Sequence, residues 1–161
     1  MRRGWLAAAA LVAGCAQVEI RPPQGPLEFD LSGRIAARYR DDAFSGIVTW
    51  RHAPGGDEML ISTPMGQGVA RIVREGDAIV ITTAEGRQVS DRDGEALTER
   101  VLGFRLPLAG LADWVRGRPA PALEARGWKV EYQERDPEGR PVRLRVTYPG
   151  LDLRLAISEW K

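Results

Sequence analysis

One cysteine, Cys15, and one histidine, His52, bound the nucleophilic and metal chemistry open to this chain of 161 residues. A histidine-based metal centre or a Ser-His-Asp triad would depend on one imidazole beside the turn predicted at Pro54-Gly55-Gly56, where a solvated turn residue is the simpler reading. The carboxylate pairs Asp41-Asp42, Asp57-Glu58 and Asp91/Asp93 fall at predicted turns or at a helix start, where solvation and capping account for them without acid-base work. No glycine-rich strand-to-helix fingerprint and no Gly-Lys-Ser/Thr phosphate loop occurs in the sequence, so nucleotide dependence lacks a motif. The chain is expected not to be an enzyme and to hold no metal. Its 23 basic residues are interspersed with 22 acidic ones, which leaves no electrostatic footprint for nucleic acid.

Cys15 is different, because of what precedes it. Arg2 and Arg3 are followed by an apolar run from Trp5 to Val12 and a small-residue end at Ala13-Gly14, the order of an export signal. The uncharged stretch Gly4–Gly14 covers 11 residues, about half of what a helix needs to cross a bilayer. Val12-Ala13-Gly14-Cys15 resembles the bacterial lipoprotein box, in which the thiol is alkylated with diacylglycerol and the chain is cut just before it. The alternative is a small residue closing a conventional signal peptide. A lone thiol in an exported chain is a liability unless something consumes it, and acylation does so. Residues 1–14 are therefore expected to be removed, 15–28 to form a lipidated tether, and 29–161 to fold as one domain. Ala16 is not the aspartate associated with inner-membrane retention in Gram-negative bacteria, so by the same resemblance the lipid anchor lies in the outer membrane and the domain faces the periplasm.

The body of the chain must supply a shape for such an anchor to hold. Pro22, Pro23, Gly25 and Pro26 interrupt any period before Phe29. After that, hydrophobic period two dominates: Phe44, Gly46, Val48 and Trp50 share one face, Leu144, Val146 and Tyr148 another run, and Leu151, Leu153, Leu155 and Ile157 the last. Turn signals at Asp41-Asp42, Pro54-Gly55-Gly56, Glu75-Gly76-Asp77, Glu85-Gly86, Pro137-Glu138-Gly139 and Pro149-Gly150 predict antiparallel neighbours. Asp93 predicts a capped helix carrying Leu97, Val101, Leu102 and Phe104. Pro107 predicts a second helix carrying Leu108, Leu111, Ala112 and Val115 and ending at Gly117. The class expected is mainly β (α+β): an incomplete antiparallel barrel, or strongly curved sheet, of about nine strands with two or three helices over its apolar concave face.

Thr63-Pro64-Met65-Gly66-Gln67 predicts a hairpin connection with proline at turn position i+1, glycine at i+3 and Met65 at the tip. An apolar tip residue is often packed back or simply tolerated. A flexible thioether also suits contact with lipid or an adaptable apolar partner.

Taken together, Phe29–Ala36 (FDLSGRIA), Phe44-Ser45-Gly46 with Trp50, Ser62–Gly66 (STPMG), Asp93–Leu97 (DGEAL), Val101–Leu111 (VLGFRLPLAGL), Trp114–Gly117 (WVRG) and Gly127–Val130 (GWKV) resemble the LolB family. The resemblance runs from about Phe29 to Trp160 and includes the lipoprotein box. It implies an incomplete barrel with helices over its mouth, which takes lipoproteins from the periplasmic carrier LolA and releases their acyl chains into the outer-membrane lipid. It places the family's protruding apolar loop residue on Met65, between Pro64 and Gly66. It places the acylated cysteine on Cys15, and family tryptophans on Trp50, Trp114 and Trp128. Two places depart from the family. The tether runs almost directly into Phe29, where members commonly carry an amphipathic helix, and the stretch from Pro119 to Arg126 is short.

On this reading the only attached group is the lipid on Cys15, and the protein is expected to be a monomer. The acyl-chain cavity is expected to involve Val48, Trp50, Leu97, Val101, Leu111, Trp114, Trp128 and Val146. Each of those side chains would serve equally in an ordinary packed core, because both roles demand the same chemistry. Two other readings fit the same pattern: a module that binds free lipid without a carrier, and a structural envelope lipoprotein with a solid interior.

Overall fold

A computed structural model describes residues 21–161. Cys15 and the export signal lie outside the described residues. Among the described residues the expected architecture is present: nine antiparallel strands in one sheet that does not close, and three short helices. The strands are β1 (Phe29–Tyr39), β2 (Asp42–Ala53), β3 (Gly56–Ser62), β4 (Gly68–Glu75), β5 (Ala78–Thr83), β6 (Gln88–Asp91), β7 (Lys129–Arg135), β8 (Pro141–Tyr148) and β9 (Leu151–Trp160). The helices are α1 (Gly94–Leu102), α2 (Leu108–Val115) and α3 (Pro121–Glu124).

The sheet order β6-β5-β4-β3-β2-β1-β9-β8-β7 puts the first strand in the middle and makes β6 and β7 the two edges. Residues 92–128 must therefore carry the chain from one edge of a nine-stranded sheet to the other. If the sheet were flat, that distance would be roughly 38 Å at about 4.8 Å per strand. All three helices lie in this one crossing, so they are laid across the concave face by topology as well as by their apolar stripes.

Two glycines permit the curl. A Cβ on Gly33 would sit 2.4 Å from the Ala156 carbonyl oxygen, beside the bulge between Ser32 and Gly33 in the β1–β9 ladder. On Gly46 it would sit 2.5 Å from the Ser62 carbonyl oxygen. Backbones approach this closely where a strand bends sharply.

Alternation does the rest. In β9, Leu151, Leu153, Leu155 and Ile157 are buried while Asp152, Arg154, Ala156 and Ser158 are not. The concave faces of the strands and the apolar faces of the helices form one core. Asp93 caps α1, accepting from the Ala96 backbone N–H at 2.9 Å, and Gly103 ends the helix in the left-handed region at φ 87°. Phe104 thus falls just past the helix instead of within it, although it is buried. α2 starts after Pro107 and buries Leu108, Leu111, Ala112, Trp114 and Val115. The short stretch from Pro119 to Arg126 folds as the single turn α3, and residues 21–28 contain no helix.

Candidate functional site

The apolar seam between sheet and lid is walled by Val48 and Trp50 from β2, Leu111 and Val115 from α2, Leu144 from β8 and Leu153 from β9, and all its other wall residues are also apolar. Its volume is about 20 Å³. Ligand pockets run to roughly 300–1,000 Å³, and about 10–15 Å³ suffices for a single water. In this conformation the side chains of α2 meet the sheet there, and the seam is closed.

Of the residues expected to form the cavity, Val48, Trp50 and Leu111 line this seam. Leu97, Trp114, Trp128 and Val146 are buried in the continuous core around it, and Val101 is half-buried at its margin. Trp128 stacks on Tyr148 with ring centroids 4.5 Å apart. The indole N–H groups of Trp114 and Trp128 are both buried with no acceptor among the described residues. Leu106, Leu153 and Met59 also line the seam. Period two marked Leu153 as inward-facing, but nothing in the sequence said which inward residues the lid would meet.

Polar contacts brace the lid within itself and tie it to the sheet and to the segment ahead of β1. The Tyr132 hydroxyl on β7 donates to the Trp114 carbonyl at 3.0 Å. Arg126, just past α3, donates to Glu95 on α1 at 2.7 Å. The buried Thr98 hydroxyl of α1 accepts from the Leu106 backbone N–H at 2.8 Å. Arg116, at the end of α2, forms an ion pair with Glu28 just ahead of β1.

That last strap leads to a network which corrects two expectations. His52 is not a solvated turn residue: it is 5% exposed, inside β2, and stacked on Phe29 with centroids 4.9 Å apart. Asp57 is not a solvated turn carboxylate either; it is 0% exposed in β3, directly opposite His52. Asp57 Oδ1 accepts from the Trp50 indole at 2.8 Å and lies 2.6 Å from His52 Nδ1. Asp57 Oδ2 accepts from Arg74 Nε at 2.6 Å. A carboxylate offers only acceptors, so in the contact with Asp57 the His52 Nδ1 is the donor. His52 Nε2 faces Glu28 Oε2 at 3.3 Å. The imidazole thus lies between two carboxylates in a chain running from the sheet to the lid. Burial raised the cost of leaving any of these groups alone, and pairing removed it. Among the described residues, no group of three or more histidine, cysteine, aspartate or glutamate side chains is arranged to hold a metal ion.

The second candidate element stands on the sheet's rim. The Thr63 carbonyl accepts from the Gly66 N–H at 2.9 Å, and the Thr63 N–H donates to the Gln67 carbonyl at 2.8 Å. Gly66 takes φ 85°, a conformation that glycine adopts without strain. The closed turn leaves Pro64, Met65 and Gly66 exposed, and Met65 is 92% exposed. No helix among the described residues is long and apolar enough to cross a membrane.

The chain is similar to proteins of one family along nearly its whole described length. The family model for the outer membrane lipoprotein LolB matches residues 27–160. Outer-membrane lipoprotein LolB of Thiobacillus denitrificans is 36% identical, over 93% of this chain and 91% of its own length. The LolB proteins of Chromobacterium violaceum and an Azoarcus species are 32% and 33% identical, each over at least 96% of both chains. With the match covering the sheet, the lid and the turn alike, the chain belongs to the LolB family of outer-membrane lipoproteins.

Proposed function

We propose that this protein is a lipoprotein receptor anchored in the outer membrane of a Gram-negative bacterium through lipid on Cys15. It accepts lipoproteins from the periplasmic carrier LolA, shields their acyl chains between the concave sheet and the lid, and inserts them into the outer membrane. The observation that carries this reading is the seam beneath α2, where apolar side chains of the sheet meet apolar side chains of the lid and nothing polar intervenes.

Acyl chains of a lipoprotein carry tens of methylenes, each costing about 0.8 kcal/mol in water. They must stay covered throughout. Without a local fuel, transfer runs downhill from carrier to receptor to bilayer, each host holding the chains more strongly than the last. A seam of about 20 Å³ admits such chains only when the lid lifts. The lid is suited to lifting: α3 is a single turn, and the Tyr132 strap from the sheet to α2 is one neutral hydrogen bond, of a kind that contributes about 0.5–1.5 kcal/mol. Closing again over an emptied seam favours release. Met65 acts at that second step, meeting the bilayer or the departing chains.

The test is a handover assay with radiolabelled lipoprotein bound to LolA, following label onto this protein and then into liposomes. Label moving through both steps supports the receptor reading. Copurified phospholipid with no label accepted from LolA would replace it with a carrier-independent lipid-binding module.

A further inference from the structure

The convex face of the sheet is not uniform. All the large apolar side chains that stand exposed among the described residues, Ile47, Leu60 and Met65, belong to the β2–β3 hairpin or the turn that follows it. Beside them runs a groove of about 470 Å³ in which Arg34, Arg143 and Arg154 rise around a floor of small residues, Ala36, Ser45 and Ala156, with Pro64 of the turn among its walls. No carboxylate lines it.

Ladder register explains the groove. Arg34 of β1 sits opposite Ile47 on one side and Ala156 on the other, and Ala156 sits opposite Arg143. Two long cations are thus separated by one alanine, roughly 10 Å apart along the row. Arg154 lies two residues along β9, opposite Ala36.

The same face shows what a neutralised arginine looks like. Arg51 and Arg71 both reach Glu58, at 3.3 and 2.7 Å. Arg34 has no carboxylate partner among the described residues, and Arg143 makes only an exposed contact of 3.5 Å to Glu134; Arg154 shares Asp152 with Arg145, at 3.2 Å. Arg34 and Arg143 therefore leave positive charge with little compensation beside the bare turn.

We propose that this face is a docking surface for an anionic phospholipid bilayer, with Arg34, Arg143 and Arg154 on lipid phosphates and Met65 and Ile47 entering the hydrocarbon beside them. The proposal rests on the reading above that Met65 meets the membrane, and adds the headgroup chemistry that orients the protein there. Guanidinium groups match phosphate geometry, and an apolar tip bordered by them fits the layered polarity of a bilayer surface better than it fits an acidic protein.

Vesicle cosedimentation of the full chain carrying Cys15→Ala, which takes the anchor out of the measurement, provides the test. Binding should be tighter to vesicles containing phosphatidylglycerol than to phosphatidylcholine alone, and should weaken with salt. Arg34→Gln with Arg143→Gln should weaken the phosphatidylglycerol binding about 25-fold, at roughly fivefold per arginine. Arg51→Gln with Arg71→Gln should change it far less. Equal binding to the two vesicle types, or wild-type binding by the Arg34/Arg143 variant, overturns the proposal. So does an Arg34/Arg143 variant that binds vesicles normally and fails only to accept cargo from LolA, which would make the groove a protein contact. Met65→Glu separates the two readings: if it abolishes membrane binding while the arginine variant binds normally, the loop stands and the groove falls.

Discussion

Trp50, a wall of the closed seam, donates its indole N–H to Asp57 Oδ1 at 2.8 Å, and Asp57 is 0% exposed. The apolar site is thus oriented from behind by a buried carboxylate, which the guanidinium of Arg74 and the imidazole of His52 hold in turn. Phe29 sits edge-on to Trp50 at 5.2 Å and stacks on His52. The network supports the floor of the site and, through Glu28 and Arg116, one end of its lid.

Removing the carboxylate should therefore damage the whole domain. Asp57→Ala leaves Arg74 and two ring N–H groups without their acceptor, and breaking a buried pair in this way costs about 3–5 kcal/mol. The expected drop in thermal midpoint is about 10 °C, read by circular dichroism. A midpoint within error of wild type would show that the network does not support the fold.

Met65 should separate two steps of transfer. Met65→Glu places a charge on the bare tip of the turn, so acceptance of label from LolA should continue while passage into liposomes falls by at least about tenfold, the effect of some 1.4 kcal/mol at the inserting step. Met65→Leu should restore passage. The measurement is the handover assay with the two steps counted separately.

The anchor is tested by fractionation. Cys15→Ala should move the protein from the membrane to the soluble periplasmic fraction, because acyl chains on that thiol are the only stable attachment proposed. The same protein found with membranes after a high-salt wash would remove the assignment.

Acid should loosen one strand pair. The Arg145 hydrogen bond across β8–β9 holds the Asp152 carboxyl below its ordinary value. A lowered folded-state value means stability that is present above the ordinary carboxylate range near about 4 and is lost as pH falls through the lower folded value. Asp152→Asn should therefore be less stable than wild type at neutral pH and approach it in strong acid, as urea unfolding at the two pH values will read.

Much of this was legible in the chain, for local reasons. Leu151 to Ile157 alternate because one face of β9 is buried, and Pro64 and Gly66 mark the turn that exposes Met65. The burial of His52 and Asp57 has no local signal, because proximity to Pro54-Gly55 points to solvent, whereas burial at that end comes from residues distant in sequence: Phe29 beneath the ring, Arg74 one strand over. The closed seam was not legible either. Period two says which side chains point inward, but whether they meet Leu111 and Val115 or leave a hollow depends on how near α2 sits, a tertiary distance with no local signature.

The central claim, that acyl chains enter by lifting α2 from the sheet, is tested most directly by a distance. Spin labels at Ala109→Cys on the outer side of α2 and Leu60→Cys on the convex face behind Met59 can be placed selectively when Cys15 is acylated, since it is the only native cysteine. The account predicts a longer and broader distance when lipoprotein is loaded from LolA, returning to the starting value after discharge into liposomes. An unchanged distance with cargo bound at one per protein would contradict it.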